Sequence, residues 1–92
     1  MKVYVVTVEN FNTLESLGVF ETRRDAGIYF DETVDSIIRH DRNLFELSYF
    51  DDLVLLGYDD PRDGSIRCKW RVTILEKEVK HYSEEDLKEF GS

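Results

Sequence analysis

A chain of 92 residues, 41% hydrophobic and 13% aromatic, has room for one domain with one modest core, which excludes wholesale disorder. Twenty acidic residues against twelve basic ones give a formal net charge of -8, a field that repels phosphate backbones and anionic membranes and attracts basic protein surfaces. The single cysteine, Cys68, excludes an internal disulfide, and no apolar run has the length of a signal peptide or a membrane span, so the expected location is cytoplasmic.

Residues 2–9 (KVYVVTVE) are β-branched and aromatic and predict a strand with apolar side chains on both faces. A loop at Asn10–Thr13 and a second strand over Leu14–Phe20 complete an N-terminal hairpin. Thr22 then opens a helix, its hydroxyl capping the N-terminus and Asp25 following at capping-box spacing. Ala26, Phe30, Thr33, Val34 and Ile37 recur at helical intervals as the buried stripe, while Ile28, Asp31, Glu32 and Asp35 point the other way. The helix is expected to end between Arg39 and Arg42, whose cations suit the negative end of the dipole.

Leu44–Phe50 predicts a strand with Phe45, Leu47 and Tyr49 on one face and Glu46 and Ser48 on the other. Asp51-Asp52 makes a turn, and Leu53–Tyr58 is a nearly continuous apolar strand. Asp59-Asp60-Pro61-Arg62-Asp63-Gly64 is the strongest turn signal in the chain. Ser65–Leu75 alternates, predicting Ile66, Cys68, Trp70, Val72 and Ile74 inward with Phe30, Val34 and Ile37, and Arg67, Lys69 and Arg71 outward. Ser83-Glu84-Glu85-Asp86 caps a short C-terminal helix bearing Leu87 and Phe90.

The order ββαβββα predicts an α+β fold: an antiparallel five-stranded sheet, one main helix packed on it and a short C-terminal helix. If the main helix runs back along the second strand, the Asp59–Gly64 turn shares an end with the Asn10 loop and the helix C-terminus. The Asp51-Asp52 turn then faces Arg23 and Arg24, offsetting two cations at the positive end of the dipole.

The segments Lys2-Val3-Tyr4-Val5-Val6 and Gly18-Val19-Phe20-Glu21-Thr22, followed by Ala26 and Tyr29-Phe30, resemble the ββα unit that opens small phage and mobile-element proteins. The likeness covers about the first third of the chain and brings no catalytic residues with it. That group includes anti-CRISPR and other anti-defence inhibitors, so the resemblance implies an inhibitor's role.

Catalytic and metal chemistry find no pattern. Cys68, His40 and His81 stand singly, without the paired spacing of zinc sites, and an inward Cys68 reads as an inert core thiol. In the Asp59–Gly64 loop Pro61 occupies a position where calcium needs an oxygen ligand, and no closing glutamate follows. There is no glycine-rich phosphate loop and no apparent nucleophile–base pair. The expectation is a non-enzyme without cofactor or metal.

The leading expectation is an inhibitor or adaptor that binds a basic surface of a partner protein, a nucleic-acid-binding groove being the natural fit. Spaced carboxylates on a rigid helix imitate a row of phosphates. The candidate contacts are Ile28, Asp31, Glu32 and Asp35 on the helix and Asp59, Asp60 and Asp63 on the turn. The alternative is a nucleic-acid or ligand-binding module on the Arg67, Lys69 and Arg71 face. Those cations have ordinary uses too, in cross-strand pairing with acids such as Glu46 or in protecting a sheet edge. Direct nucleic-acid or membrane binding is not expected, since the net charge opposes both. A third reading is a self-associating protein, a homodimer paired through an uncovered sheet face or edge.

Overall fold

The computed structural model describes residues 1–79; the expected C-terminal helix and His81 lie outside them. The elements are β1 (Lys2–Asn10), β2 (Thr13–Phe20), α1 (Arg23–His40), β3 (Phe45–Tyr49), β4 (Leu53–Asp59) and β5 (Ile66–Glu78). The strands form one five-stranded sheet in the order β2-β1-β5-β4-β3, with every neighbouring pair antiparallel. Helix α1 crosses from one edge strand to the other and packs chiefly on β1, β5 and β2. The α+β architecture is therefore present, with one helix among the described residues.

Local chemistry accounts for the element ends. Phe11 and Asn12 both have positive φ, 50° and 66°, as a tight two-residue hairpin turn requires. Such a φ is unusual for a bulky residue, and Phe11 is held there from two sides. Its N–H donates to the Lys69 carbonyl at 2.8 Å, and its ring meets Tyr58 edge-on at 6.2 Å. At the start of α1, Thr22 has extended backbone and its Oγ1 accepts from the Asp25 N–H at 3.1 Å. At the other end the Asp41 N–H closes the last turn on the Ile37 carbonyl at 3.0 Å.

Ala26, Phe30 and Val34 form the buried stripe of α1. They pack against Val6 and Val8 of β1, Val72 and Ile74 of β5, and Val54 and Leu56 of β4. Tyr29 extends this contact toward the β2 edge, stacking at a tilt on Phe20 with 5.2 Å between centroids.

The expected alternation of β5 is corrected by one residue. Leu56 pairs with Trp70, but the next residue, Gly57, pairs with Cys68, so Lys69 is an extra residue in a β-bulge. Consecutive strand residues face opposite sides, and a one-residue slip flips everything beyond it. Trp70, Val72 and Ile74 therefore side with the helix, Trp70 only partly buried, while Ile66 and Cys68 are exposed. A second slip lies between Glu46 and Ser48. Phe45 thus pairs with Gly57 on the far face, and Tyr49 pairs with the core residue Val54 on the helix side. The predicted grouping of Phe45, Leu47 and Tyr49 is divided accordingly.

The register makes a stability ranking testable by urea unfolding. Phe30→Ala is expected to cost about 3–5 kcal/mol, because it empties the centre of the core. Cys68→Ala is expected to change stability by only about 0.5 kcal/mol. A loss of several kcal/mol for Cys68→Ala would return that residue to the core and contradict the bulge.

Candidate functional site

Ile28, Asp31, Glu32 and Asp35 are all exposed on α1, and their spacing places them along one stripe of the helix surface. Asp31 and Asp35 lie toward β3, where Glu46 and the turn residue Asp51 add two further carboxylates around Tyr49. The Tyr49 phenol is pushed above its ordinary value, first by partial desolvation and then by the charges of Asp31, Glu46, Asp35 and Asp51. Glu32 and Ile28 are not part of that group.

A cleft of about 240 Å³ opens at this point, lined by Arg23, Gly27, Phe30, Asp31, Tyr49, Phe50 and Asp51. Its presence follows from the packing, because α1 rests on β1, β5 and β2 and leaves the β3 side of the same face uncovered. Arg23 Nη2 donates to the Asp51 carbonyl at 2.8 Å, which bears out the expected approach of the helix start to the Asp51-Asp52 turn. The bond uses the main-chain oxygen and not the carboxylate. Gly27 leaves room for that reach, since a Cβ there would stand 2.7 Å from Arg23 Nη1. Two carboxylates, Asp31 and Asp51, and the Arg23 guanidinium therefore line the cleft beside a half-exposed aromatic ring, and the charges of Asp35 and Glu46 act on that ring as well. Such a site suits a cation with an apolar stem, which is the chemistry of lysine and arginine side chains.

The acidic turn is built differently. Asp60 is only 2% exposed, so it is corrected from a partner contact to a buried hub. Its carboxylate accepts from the Arg62 N–H at 3.0 Å, from Arg62 Nε and Nη2 at 3.1 and 3.0 Å, and from Arg67 Nε at 2.8 Å. The Arg62 bonds above all, with help from Arg67, outweigh burial and hold this carboxyl down to about 2. Asp63 accepts from the Ser65 N–H and hydroxyl at 2.9 and 2.6 Å and from Arg67 Nη2 at 2.9 Å. Of the three acids expected on this surface, Asp59 alone is exposed without taking part in that network.

The Arg67, Lys69 and Arg71 face is also corrected, because the bulge divides it. Arg67 pairs with Tyr58 and turns to Asp60 and Asp63. Lys69 reaches the helix cap, with Nζ 2.7 Å from Asp41 Oδ2 and 6.0 Å from the centre of the Phe11 ring. Arg71 stands on the opposite face, between Glu9 and Leu55. Strand β5 is the central strand, so edge protection does not explain these cations. The expected cross-strand pairing with an acid holds for Arg71, opposite Glu9, and not with Glu46 on β3.

At the C-terminal end of α1 a second cleft, about 330 Å³, is lined by Ser36, Ile37, His40, Asp41 and Trp70. Trp70 Nε1 and Asn10 Oδ1 belong to directly paired residues and are buried without a hydrogen-bond partner among the described residues. Among the described residues no group of three His, Cys, Asp or Glu side chains can hold a metal ion. No helix among them is long and apolar enough to cross a membrane. Comparison with protein-family models, curated proteins and solved structures gives no match, and nothing in it links the chain to phage or anti-defence proteins.

The Tyr49 cleft is only partly readable from sequence. Asp31 and Asp35 stand out as a helical acidic face, but Glu46, Tyr49 and Asp51 join them through the crossover of α1 from β2 to β3. The one local clue is the pair of arginines at the helix start, which calls for an acidic turn nearby.

The Asp60 hub predicts a pH dependence of stability. Its carboxyl titrates lower in the folded chain, about 2 against an ordinary 3.8, so its contribution is complete above about pH 4 and fades as pH falls through about 2. Urea unfolding of the wild type should show this loss, and Asp60→Asn should be less stable at pH 6 with a shallower decline across that window. Parallel curves for the two proteins would show that the hub does not stabilise the turn.

Proposed function

We propose that this chain is a non-enzymatic inhibitor or adaptor whose Tyr49 cleft receives basic side chains from a partner protein. The observation that carries this reading is the convergence of Asp31, Asp35, Glu46 and Asp51 on one exposed tyrosine. These groups come from three separate stretches of the chain, α1, β3 and the turn after it. The binding force is modest at each contact, about 0.2–1 kcal/mol for an exposed ion pair. Several such contacts, steered by a domain of net charge -8, favour fast and salt-sensitive association. Glu32 and Ile28, exposed beside the cleft on α1, widen the contact along the helix. A groove that ordinarily holds a phosphate backbone is the partner surface this charge pattern suits best, and occupying it would block the nucleic acid by charge and bulk.

An NMR titration with a short arginine-rich peptide tests the site without knowledge of the partner. Shifts should cluster at Asp31, Asp35, Glu46 and Tyr49 and weaken as salt is raised. The triple variant Asp31→Asn, Asp35→Asn, Glu46→Gln should keep its fold and bind about tenfold more weakly. Asp59→Asn serves as the control and should bind as the wild type does. Duplex DNA should show no saturable binding at about 0.15 M salt. Shifts centred on the Asp59–Ser65 turn, or a triple variant with undiminished binding, would remove the cleft from the mechanism.

A further inference from the structure

We propose that the sheet face turned away from α1 packs on the same face of a second copy of this chain, forming a β-sandwich with a helix on each outer side. This proposal concerns the face opposite the Tyr49 cleft and stands independently of it.

The strand register lays that face out in rows. Val19, Val5 and Leu75 form the first, and Leu17, Thr7, Thr73 and Leu53 the second. The third row runs Leu14, Glu9, Arg71 and Leu55. An antiparallel sheet facing water ordinarily carries polar side chains on its solvated face. Here Leu17, Val19 and Leu75 are 53%, 58% and 44% exposed. The two threonine hydroxyls in the middle row bond to each other, so they meet part of their own hydrogen-bonding need when water is withdrawn. A contiguous apolar face of a few hundred Å² is as large as a soluble monomer usually leaves bare, and patches of that size are often interaction surfaces.

The arrangement of charge identifies the occupant. A two-fold axis running along the strands between β1 and β5 lays β1 of one copy over β5 of the other. Glu9 then faces the second copy's Arg71, and Arg71 its Glu9, so the same opposite-charge contact forms twice. The axis also sets Val5 against Leu75, Thr7 against Thr73, and Leu17 against Leu53. Each pair joins different residues of one patch, as an isologous interface demands. A partner with a basic surface would find there one acid, Glu9, already opposite Arg71, and a further cation, Lys77, opposite Val3 on the same face.

Charge repulsion between copies and the available area both permit the contact. Sheets stack about 10 Å apart, and with a further layer on each side the acidic helices lie more than about 20 Å from one another, beyond the Debye length of about 8 Å. The four strands that overlap, β2, β1, β5 and β4, at about 4.8 Å spacing over some six residues at about 3.3 Å each, give a flat footprint on the order of 400 Å². Side-chain relief raises the accessible area above this, toward the smaller specific interfaces.

Sedimentation equilibrium of the full chain over a dilution series tests this directly. The wild type is expected to approach twice the 10.9 kDa chain mass at high concentration and to dissociate on dilution. Leu75→Lys enters the interface twice by symmetry and should raise the dimer dissociation constant about a hundredfold, with an unchanged circular dichroism spectrum. Glu9→Arg and Arg71→Glu should each weaken self-association, and the double exchange should restore it. That rescue remains informative if the lysine variant folds poorly. Asp35→Lys, on the helix, should leave the dimer in place. A wild type that stays monomeric at every concentration would overturn the proposal. So would a dimer indifferent to both Leu75→Lys and the charge exchanges, which would place the contact at a sheet edge.

Discussion

Lys69 has no partner on β4, and much of the molecule's layout depends on that one unpaired position. Because a β-strand alternates strictly, the extra residue gives the two ends of β5 opposite orientations. On the C-terminal side, Trp70, Val72 and Ile74 supply the floor on which α1 rests. On the N-terminal side, Arg67 shares the face of Tyr58 and is brought to the Asp59–Gly64 turn, where it helps neutralise the buried Asp60 carboxylate. Lys69 itself turns to the helix cap and pairs with Asp41. A single bulge thereby ties together the central strand, the longest turn and the end of the helix.

The same geometry separates the charges. Arg62 and Arg67 are engaged at the turn and Lys69 at the helix cap, so these cations lie away from the acids of α1 and β3. The helix covers the β2, β1 and β5 side of its face and leaves the β3 side open. Asp31 and Asp51 line that opening with Arg23, which donates to a main-chain carbonyl, and Asp35 and Glu46 add their charge at Tyr49. An acidic cleft remains because the helix, whose core contacts reach Val54 and Leu56 of β4, stops short of the edge strand β3. The opposite face of the sheet receives a balanced Glu9–Arg71 pair and a run of aliphatic side chains, a composition suited to another apolar face more than to a charged ligand.

Much of this was legible from local sequence. The Thr22 cap with Asp25, the 26/30/34 stripe and the Asp59–Gly64 turn each depend on residues close in the chain, so composition and spacing reveal them. The approach of Arg23 to the Asp51-Asp52 turn followed from dipole electrostatics and the direction of the helix. The bulge did not follow, because Ser65–Leu75 read alone alternates without a break. The slip exists only in the pairing of Gly57 with Cys68, and pairing is a property of two strands. For the same reason the alternation by itself sends Cys68 and Ile66 to the core, and Arg67, Lys69 and Arg71 to one face. Asp60 was recognisable as a turn residue, but its burial depends on Arg67, seven positions away. Tyr49 joins the acidic helix face through a crossover that spans the sheet.

The central claim is that carboxylates from α1, β3 and the following turn act together on Tyr49. A carbon-13 titration of the Tyr49 phenol, in the wild type and in Asp31→Asn/Asp35→Asn, measures that field at its focus. The account predicts a wild-type titration above the ordinary value of 10.0, a shift back toward that value in the variant, and a smaller difference between the two at high salt. Superimposable titrations of the two proteins at low salt would contradict it, because the helix acids would then exert no field at the cleft.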